Sequence, residues 1–99
     1  MQFAIIARDG TDAEALERRM AARPDHVRLA KKHFANGKNI LGGALLNDNG
    51  DMCGSIMIVD FPDRVSLDEW INSDHYVTGD GWKEIEVVPF QIAGVKEPK

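Results

Sequence analysis

Residues 40–59 read ILGGALLNDNGDMCGSIMIV and predict a β-hairpin. Two apolar runs, Ile40–Leu46 and Cys53–Val59, have the length and composition of strands. The linker Asn47–Asp51 is rich in residues that tolerate left-handed turn geometry. Because this linker is short, we expect the two strands to pair antiparallel.

The chain before the hairpin predicts a strand and then a helical region. Residues 2–8 form a short run rich in strand formers, and Thr11 or Asp12 can cap a helix after it. Pro24 is expected to interrupt the helix, because proline lacks an amide hydrogen and restricts the residue before it. A second helical piece then starts at Pro24 and stops at Asn36-Gly37, and its inward residues are Val27, Ala30 and Phe34.

The chain after the hairpin predicts a shorter helix and a last strand. Pro62-Asp63 opens the helix, residues 73–82 form a turn-rich connection, and residues 84–93 form the strand. The expected buried side of this helix consists of Val65, Leu67, Trp70 and Ile71.

The resulting order is βαββαβ, which is an α+β, ferredoxin-like arrangement. It predicts a four-stranded antiparallel sheet with helices on one face. With 99 residues the chain has room for a single domain, 1–99, around one core.

Two of the strands look apolar on both faces. Residues 3–7 read FAIIA and residues 56–59 read IMIV, whereas a sheet covered on one side alternates apolar and polar residues. The helices can cover one face only, so we expect a homodimer in which a second copy covers the other. The alternative is that the polar tail 94–99 covers it.

The composition argues against nucleic acid as a partner. Sixteen acidic residues against twelve lysines and arginines give a net charge of −4, and adjacent basic residues occur only in pairs such as Lys31-Lys32. The sequence has neither a GxGxxG motif nor a Walker loop, so no nucleotide-binding signature is present and no organic cofactor is expected.

The cysteine count and the hydropathy pattern predict a cytoplasmic protein. Cys53 is the one cysteine, which excludes an internal disulfide and a multi-cysteine zinc site, and its own environment is expected to be that of a small buried hydrophobic residue. The first residues lack a basic leader, and no apolar run approaches the roughly 20 residues that cross a bilayer. We therefore expect no membrane partner.

His26 and Asp74 are the candidate catalytic residues. His26 lies at the edge of the apolar stripe of its helix, where an imidazole can contact both a cavity and solvent. Asp74 follows the second predicted helix, and such an aspartate is commonly a turn former or a helix cap. Each residue therefore also has a purely structural interpretation, namely a partly buried histidine and a cap.

Further residues are candidates for binding a substrate. Ser55 can donate a hydrogen bond from its strand into a cavity, and the backbone near Gly43 can hold a substrate oxygen. Tyr76 can line a small apolar pocket or complete the core. His26, Asp74 and His75 could supply three metal ligands, but no ligand spacing requires it and no metal is expected.

Several segments, in order along nearly the whole chain, resemble the YciI-like (YCII-related) family. Residues 23–27, RPDHV, are similar to its arginine-x-x-histidine segment, and residues 42–46 and 54–59 are similar to its glycine-started hairpin strands. Residues 73–79, SDHYVTG, resemble its Asp-Pro-Tyr segment, with His75 in place of the usual proline. Residues 84–90 resemble its closing strand.

The resemblance implies a dimeric α/β barrel with an active-site pair formed by His26 and Asp74. Arg23 belongs to the matched arginine-x-x-histidine segment, and the departure from the family pattern at His75 puts a second imidazole beside the presumed pocket. We count both residues as substrate-binding candidates. Some relatives act as dehydrochlorinases on chlorinated hydroxyquinol-type compounds, and structural cousins include muconolactone isomerases.

Three functions fit these residues. The first is a small-molecule enzyme without a cofactor that uses the His26–Asp74 pair for isomerisation, elimination or dehydrohalogenation of a ring-derived or enolisable compound. The second is a ligand-binding or accessory module that needs the pocket but not the pair. The third is a structural dimer that needs neither.

Overall fold

A computed structural model describes residues 1–94 and confirms the predicted fold class. The four strands form one sheet in the order β2-β3-β1-β4, with every pair antiparallel, which is the ferredoxin-like topology. The elements are β1 (Gln2–Asp9), α1 (Ala15–Ala35), β2 (Asn39–Leu46), β3 (Met52–Asp60), α2 (Arg64–Ser73), α3 (His75–Thr78) and β4 (Trp82–Phe90).

The hairpin between β2 and β3 forms where the sequence predicts it. The side chain of Asn47 accepts hydrogen bonds from the backbone amides of Asn49, at 2.9 Å, and Asp51, at 3.0 Å. Gly50 has a φ of 82°, a conformation that residues with a Cβ rarely adopt. The turn thereby fixes the register of the two strands.

The predicted break at Pro24 is wrong, because α1 runs unbroken from Ala15 to Ala35 with Pro24 inside it. Pro24 cannot donate to the carbonyl of Met20 one turn earlier. Both residues lie on the exposed side of the helix, where water can hydrate that carbonyl. The helix therefore continues, held by the packing of its opposite side.

The predicted cap of α1 is also wrong. The helix begins after Glu14, whose side chain makes no capping hydrogen bond. Asp12 instead accepts two hydrogen bonds from the guanidinium of Arg18, at 2.7 and 2.8 Å. An available ion pair has replaced the cap.

The core lies between the helices and one face of the sheet. Leu67 and Ile71 of α2 are buried as predicted, and Trp70 packs at the edge of the core. Val65 is 68% exposed, so its predicted burial is wrong. The core cluster consists of Phe3, Ile5, Ala7, Met57, Val59, Phe61, Leu67, Ile71, Tyr76 and Trp82.

The opposite face of the sheet is apolar, and within residues 1–94 it is covered only in part: Ala4 and Ile58 are buried there, whereas other apolar side chains are exposed. Alternate strand residues share a face, and the register pairs Ile6 with Ile56 and Ala4 with both Ile58 and Val88. Exposed apolar side chains on this open face are Leu41, Ile56, Val88 and Phe90. The expectation of two-sided strands is met. Residues 95–99, most of the tail that could cover this face, lie outside the described residues.

Candidate active site

The sheet and helices bring His26 and Asp74 together across 48 positions of sequence. The Nδ1 atom of His26 lies 2.9 Å from Oδ1 and 3.0 Å from Oδ2 of Asp74. The two side chains are 12% and 4% exposed, respectively. The pair is thus largely shielded from water, which strengthens its electrostatic interaction.

Asp74 owes its position to the junction of two helices. It is the residue after α2, and it caps α3 by accepting a hydrogen bond from the amide of Tyr76 at 2.9 Å. The carboxylate of Asp74 therefore caps a helix, as the sequence suggested, and also binds His26. Two hydrogen bonds fix the orientation of this carboxylate before any ligand binds.

Aromatic rings hold the imidazole of His26. It stacks on the ring of Tyr76, with 4.1 Å between ring centroids. It also packs edge-on against Trp82, with 5.9 Å between ring centroids. Of the two ring nitrogens of His26, only Nδ1 makes a hydrogen bond within residues 1–94. The ring orientation is thus defined, and Nε2 remains available.

A second buried polar group lies beside the pair. Arg19, only 2% exposed, donates to both oxygens of Asp9, at 3.1 and 3.3 Å, and to Oγ of Ser55 at 2.9 Å. Its guanidinium also lies 4.4 Å from the centroid of the Tyr76 ring. Burial raises the pKa of Asp9, and the charge and hydrogen bonds of Arg19 partly oppose this rise.

Sequence reasoning missed Arg19 and Asp9. The available signal was the helical spacing, because Arg19 precedes Arg23 by one turn and His26 by two on the same side of α1. Its partners come from two strands whose register pairs Ala7 with Ser55, which sequence spacing alone does not reveal.

The backbone of β3 lets Ser55 approach this group. A Cβ atom on Gly54 would lie 2.5 Å from the carbonyl oxygen of Ala7, so only glycine fits at this close contact between β1 and β3. Ser55 is consequently held deep in the sheet and is 3% exposed.

A pocket of about 220 Å³ opens between α1 and the hairpin strands next to both polar groups. Burial raises the pKa of Tyr76, which therefore keeps its phenolic proton at neutral pH. The lining residues come mainly from one side of α1 and from β2 and β3: Arg19, Arg23, His26, Val27, Ala30, Lys31, Phe34, Gly42, Gly43, Ala44, Met52, Ser55, Met57 and Tyr76.

Most of the predicted site residues meet at this pocket. His26, Arg23, Gly43, Ser55 and Tyr76 line it, and Asp74 holds His26 from behind. His75 begins α3 and is not among the lining residues. Phe34 is predicted to point inward but is 42% exposed, because it lines the pocket instead of joining the core.

Neither a cluster of metal-ligating side chains nor a membrane-spanning helix is present among residues 1–94. Within residues 1–94 no three histidine, cysteine or acidic side chains are grouped so that they could hold a metal ion. None of the helices in this range is long and apolar enough to cross a membrane. Cys53 is partly exposed, so its predicted burial is incomplete.

Several known proteins are similar to this chain in sequence or in structure. Protein YciI of Escherichia coli is 28% identical over 97 residues, which cover 92% of this chain and 97% of that protein. The 5-chloro-2-hydroxyhydroquinone dehydrochlorinase of Burkholderia phenoliruptrix AC1100, solved in complex with 2,5-dihydroxybenzoquinone, superposes with a TM-score of 0.79 at 21% identity. That superposition covers 92% of this chain and 94% of the dehydrochlorinase.

A more distant structure has the same fold. A dimeric ferredoxin-like protein of unknown function from Jannaschia sp. CCS1 superposes with a TM-score of 0.56 at 14% identity, over 92% of this chain and 98% of that protein. The family described as the YCII-related domain matches residues 1–91. The chain therefore belongs to the YCII-related domain family.

Proposed function

We propose that the protein is an enzyme that transfers a proton to and from a small ring-derived or enolisable compound, without a cofactor. The observation that carries this proposal is the His26–Asp74 hydrogen bond of 2.9 Å in the wall of the pocket. A carboxylate behind an imidazole is the arrangement that general acid–base catalysis uses near neutral pH.

The two residues have different roles. Asp74 accepts the hydrogen of Nδ1, which fixes the tautomer and leaves the lone pair of Nε2 free to take a proton. Asp74 also stabilises the imidazolium that forms. Proton transfer by a positioned group of this kind supplies about 10²–10⁴-fold in rate, which suits an activated carbon acid.

The reaction begins when Nε2 of His26 removes a proton from a carbon beside a carbonyl group. The electron pair of that C–H bond moves to the carbonyl oxygen and forms an enolate. In an isomerisation, the imidazolium then returns the proton to another carbon. In an elimination, the enolate instead expels a chloride ion from the neighbouring carbon, and the imidazolium releases its proton to water, so that the products are the unsaturated ketone, chloride and a proton.

Ser55 and Arg19 hold the enolate oxygen in this proposal. Because Oγ of Ser55 already accepts a hydrogen bond from Arg19, its own hydrogen is free to be donated. The Nε atom of Arg19 is buried and has no hydrogen-bond partner within residues 1–94, so a second donor beside the pocket is left without an acceptor. Charge developing next to such donors is stabilised strongly.

The elimination option draws support from the structural neighbour that is a dehydrochlorinase. At 21% identity that neighbour shares the fold, and its substrate is a starting point for assays, not an assignment. In its diketo tautomer, a chlorinated hydroxyhydroquinone has a hydrogen on a carbon beside a carbonyl group and a chloride on the neighbouring carbon, as the proposed elimination requires.

The proposed enzyme works as a homodimer in the cytoplasm. The open sheet face presents Leu41, Ile56, Val88 and Phe90, and a second copy of the same face is a complementary cover. The dimeric ferredoxin-like protein from Jannaschia has the same fold.

The test follows the exchange of carbon-bound hydrogen. We expect the protein in D2O to accelerate the loss of the ring C–H signals of 2,5-dihydroxybenzoquinone in NMR spectra, and to release chloride from 5-chloro-2-hydroxyhydroquinone. The His26→Asn variant should lose about 10²–10⁴-fold in either rate. The control is His33→Asn, because His33 is on the same helix but outside the pocket.

A His26→Asn variant that reacts at the wild-type rate contradicts the proposal. The alternative function, a ligand-binding or accessory module, rests on the same pocket. It is favoured if these compounds bind to the wild-type protein while neither exchange nor chloride release is accelerated.

A further inference from the structure

The pocket carries a charge opposite in sign to that of the chain. The chain has a net charge of −4, yet the residues that line the pocket include four basic side chains, Arg19, Arg23, His26 and Lys31, and no aspartate or glutamate. A concave surface lined by one sign of charge concentrates ligands of the opposite sign.

Two of these basic groups have a carboxylate partner behind the pocket wall. Arg19 pairs with Asp9, and His26 is held by Asp74. Within residues 1–94, neither Arg23 nor Lys31 forms an ion pair with a carboxylate. Two positive charges of the pocket therefore remain uncompensated by the described part of the chain.

Other arginines of the same helix show that this is a local feature. Arg18 pairs with Asp12 at 2.7 Å, and Arg28 pairs with Asp25 at 2.5 Å. Neither arginine lines the pocket. Acidic partners are thus available along α1, and they lie away from the pocket.

The positions of the two free cations fit a ligand next to His26. Arg23 precedes His26 by three residues and Lys31 follows it by five, which places them about 12 Å apart along the helix axis at 1.5 Å per residue. Both have side chains long enough to reach a common group between them. The backbone of Gly42 and Gly43 lies across the pocket and leaves this space open.

The pocket volume limits the size of the ligand. About 220 Å³ is below the 300–1,000 Å³ typical of sites for drug-sized molecules, and an apolar cavity of about 150 Å³ can hold benzene. The space therefore suits a body of about one six-membered ring with a small substituent.

We infer that the pocket selects anionic ligands: a single-ring compound whose carboxylate or ionised hydroxyl group is bound by Arg23 and Lys31. This inference rests on the proposed function, since it names the substrate class of the same site. Arg23 offers the planar, bidentate geometry that a carboxylate accepts, and Lys31 adds a point charge at the mouth. Neutral analogues of the same shape bind more weakly.

The experiment compares two probes that differ in one charge. They are 2,5-dihydroxybenzoate and its methyl ester, and their affinities are measured by isothermal titration calorimetry on the full chain. We expect the wild-type protein to bind the carboxylate about tenfold more tightly than the ester, the scale of one charge-assisted hydrogen bond. Raising the salt concentration should weaken binding of the carboxylate only.

Variants identify the responsible charges. Arg23→Gln should remove about tenfold of the carboxylate affinity, and Lys31→Gln about three- to fivefold, since Lys31 is more exposed. Lys32→Gln is the matched control, because Lys32 is an exposed neighbour on the same helix that does not line the pocket. The affinity for the ester should stay constant in all three variants.

A further variant shows that binding occurs in this pocket. Gly42→Leu fills it from β2, where an added Cβ meets Met57 at an ordinary 3.7 Å, so the fold should be retained. We expect this variant to bind neither probe. Carboxylate binding that survives Gly42→Leu contradicts the inference, because the anion is then bound elsewhere.

Three other results overturn it as well. They are equal wild-type affinity for both probes, equal loss in Lys31→Gln and Lys32→Gln, and no carboxylate binding at millimolar concentrations. The proposed function is judged separately by proton exchange. A protein that prefers the carboxylate but exchanges no carbon-bound hydrogen contradicts the proposed function alone, and exchange with equal affinities contradicts the charge selection alone.

Discussion

Asp74 lies within hydrogen-bond distance of His26 at both of its oxygens, 2.9 and 3.0 Å from the same imidazole nitrogen. One of these oxygens also accepts the amide of Tyr76. The carboxylate therefore acts as an acceptor in every contact it makes. This acceptor-only character is what a substitution can test.

Asp74→Asn should impair proton transfer while keeping the fold. The asparagine amide can donate to Nδ1, which would move the imidazole proton to Nε2 and remove the lone pair that faces the pocket. We expect the exchange rate to fall by about 10²–10⁴-fold. Nitrogen chemical shifts of labelled His26 should show the tautomer change. An unchanged tautomer together with an unchanged rate would contradict the role of Asp74.

Arg19→Met should destabilise the protein, because it leaves the carboxylate of Asp9 buried without its partner. Breaking a buried ion pair in this way costs about 3–5 kcal/mol. Urea denaturation measures the change in the free energy of unfolding. Arg28→Gln is the control, since it removes a surface ion pair that contributes about 0–1 kcal/mol. Equal losses in the two variants would show that burial of the Arg19 pair is unimportant.

His33 should make stability depend on pH just below neutrality. Burial, and then the Lys38 ammonium group, lower the pKa of His33 from its usual 6.5. The unfolded chain therefore binds a proton more readily than the folded chain in the window below pH 6.5. Stability contributed by neutral His33 is present above this window and is lost as pH falls through it.

The measurement for His33 is the urea midpoint at pH values on both sides of that window, in wild type and in His33→Gln. We expect the variant to show a smaller decrease of the midpoint towards low pH. A decrease identical to that of the wild type would assign the pH dependence to other groups.

Two glycines on neighbouring strands should respond differently to alanine. Gly54→Ala places a Cβ 2.5 Å from the carbonyl oxygen of Ala7, and the forced backbone shift should cost about 1–3 kcal/mol. An added Cβ on Gly43 meets nothing within 4 Å, so Gly43→Ala should change stability by no more than about 0.5 kcal/mol. Thermal unfolding of the two variants checks this contrast, and similar losses would refute it.

Ile56→Asp should separate the proposed homodimer into monomers. Ile56 lies on a central strand, on the open apolar face, and a charge there has no partner in a second copy of the same face. Light scattering after size-exclusion chromatography measures the mass. Val65→Asp is the control, because Val65 is an exposed apolar residue on α2, away from this face. A wild-type protein that is monomeric at micromolar concentration would exclude the dimer.

The fold was predictable because its signals are local. The hairpin follows from the run Asn47–Asp51 between two apolar segments, and the order of the elements follows from alternating strand and helix patterns. The error at Pro24 has a physical cause: the rule that proline ends a helix neglects whether solvent can hydrate the orphaned carbonyl. At this position the exposed side of α1 removes most of the cost.

The site was predictable only in part. His26 and Asp74 were candidates from their positions along the chain, but their pairing was predicted only through the resemblance to a family, since spacing alone left their structural interpretations open. Arg19 was missed because a buried arginine can be predicted only when its partners are known. Its partners, Asp9 and Ser55, come from two different strands. Contacts between distant segments depend on strand register, which short motifs do not encode.

The joint at Asp74 has a consequence for which substitutions the site tolerates. One carboxylate ends α2, begins α3 and orients the imidazole, so a side chain that cannot accept these hydrogen bonds would disturb the helix junction and the imidazole together. Ala30, Phe34 and Ala44 line the pocket without taking part in that joint. Substitutions in these pocket residues can therefore change which ligand fits, while the hydrogen bond between His26 and Asp74 is kept.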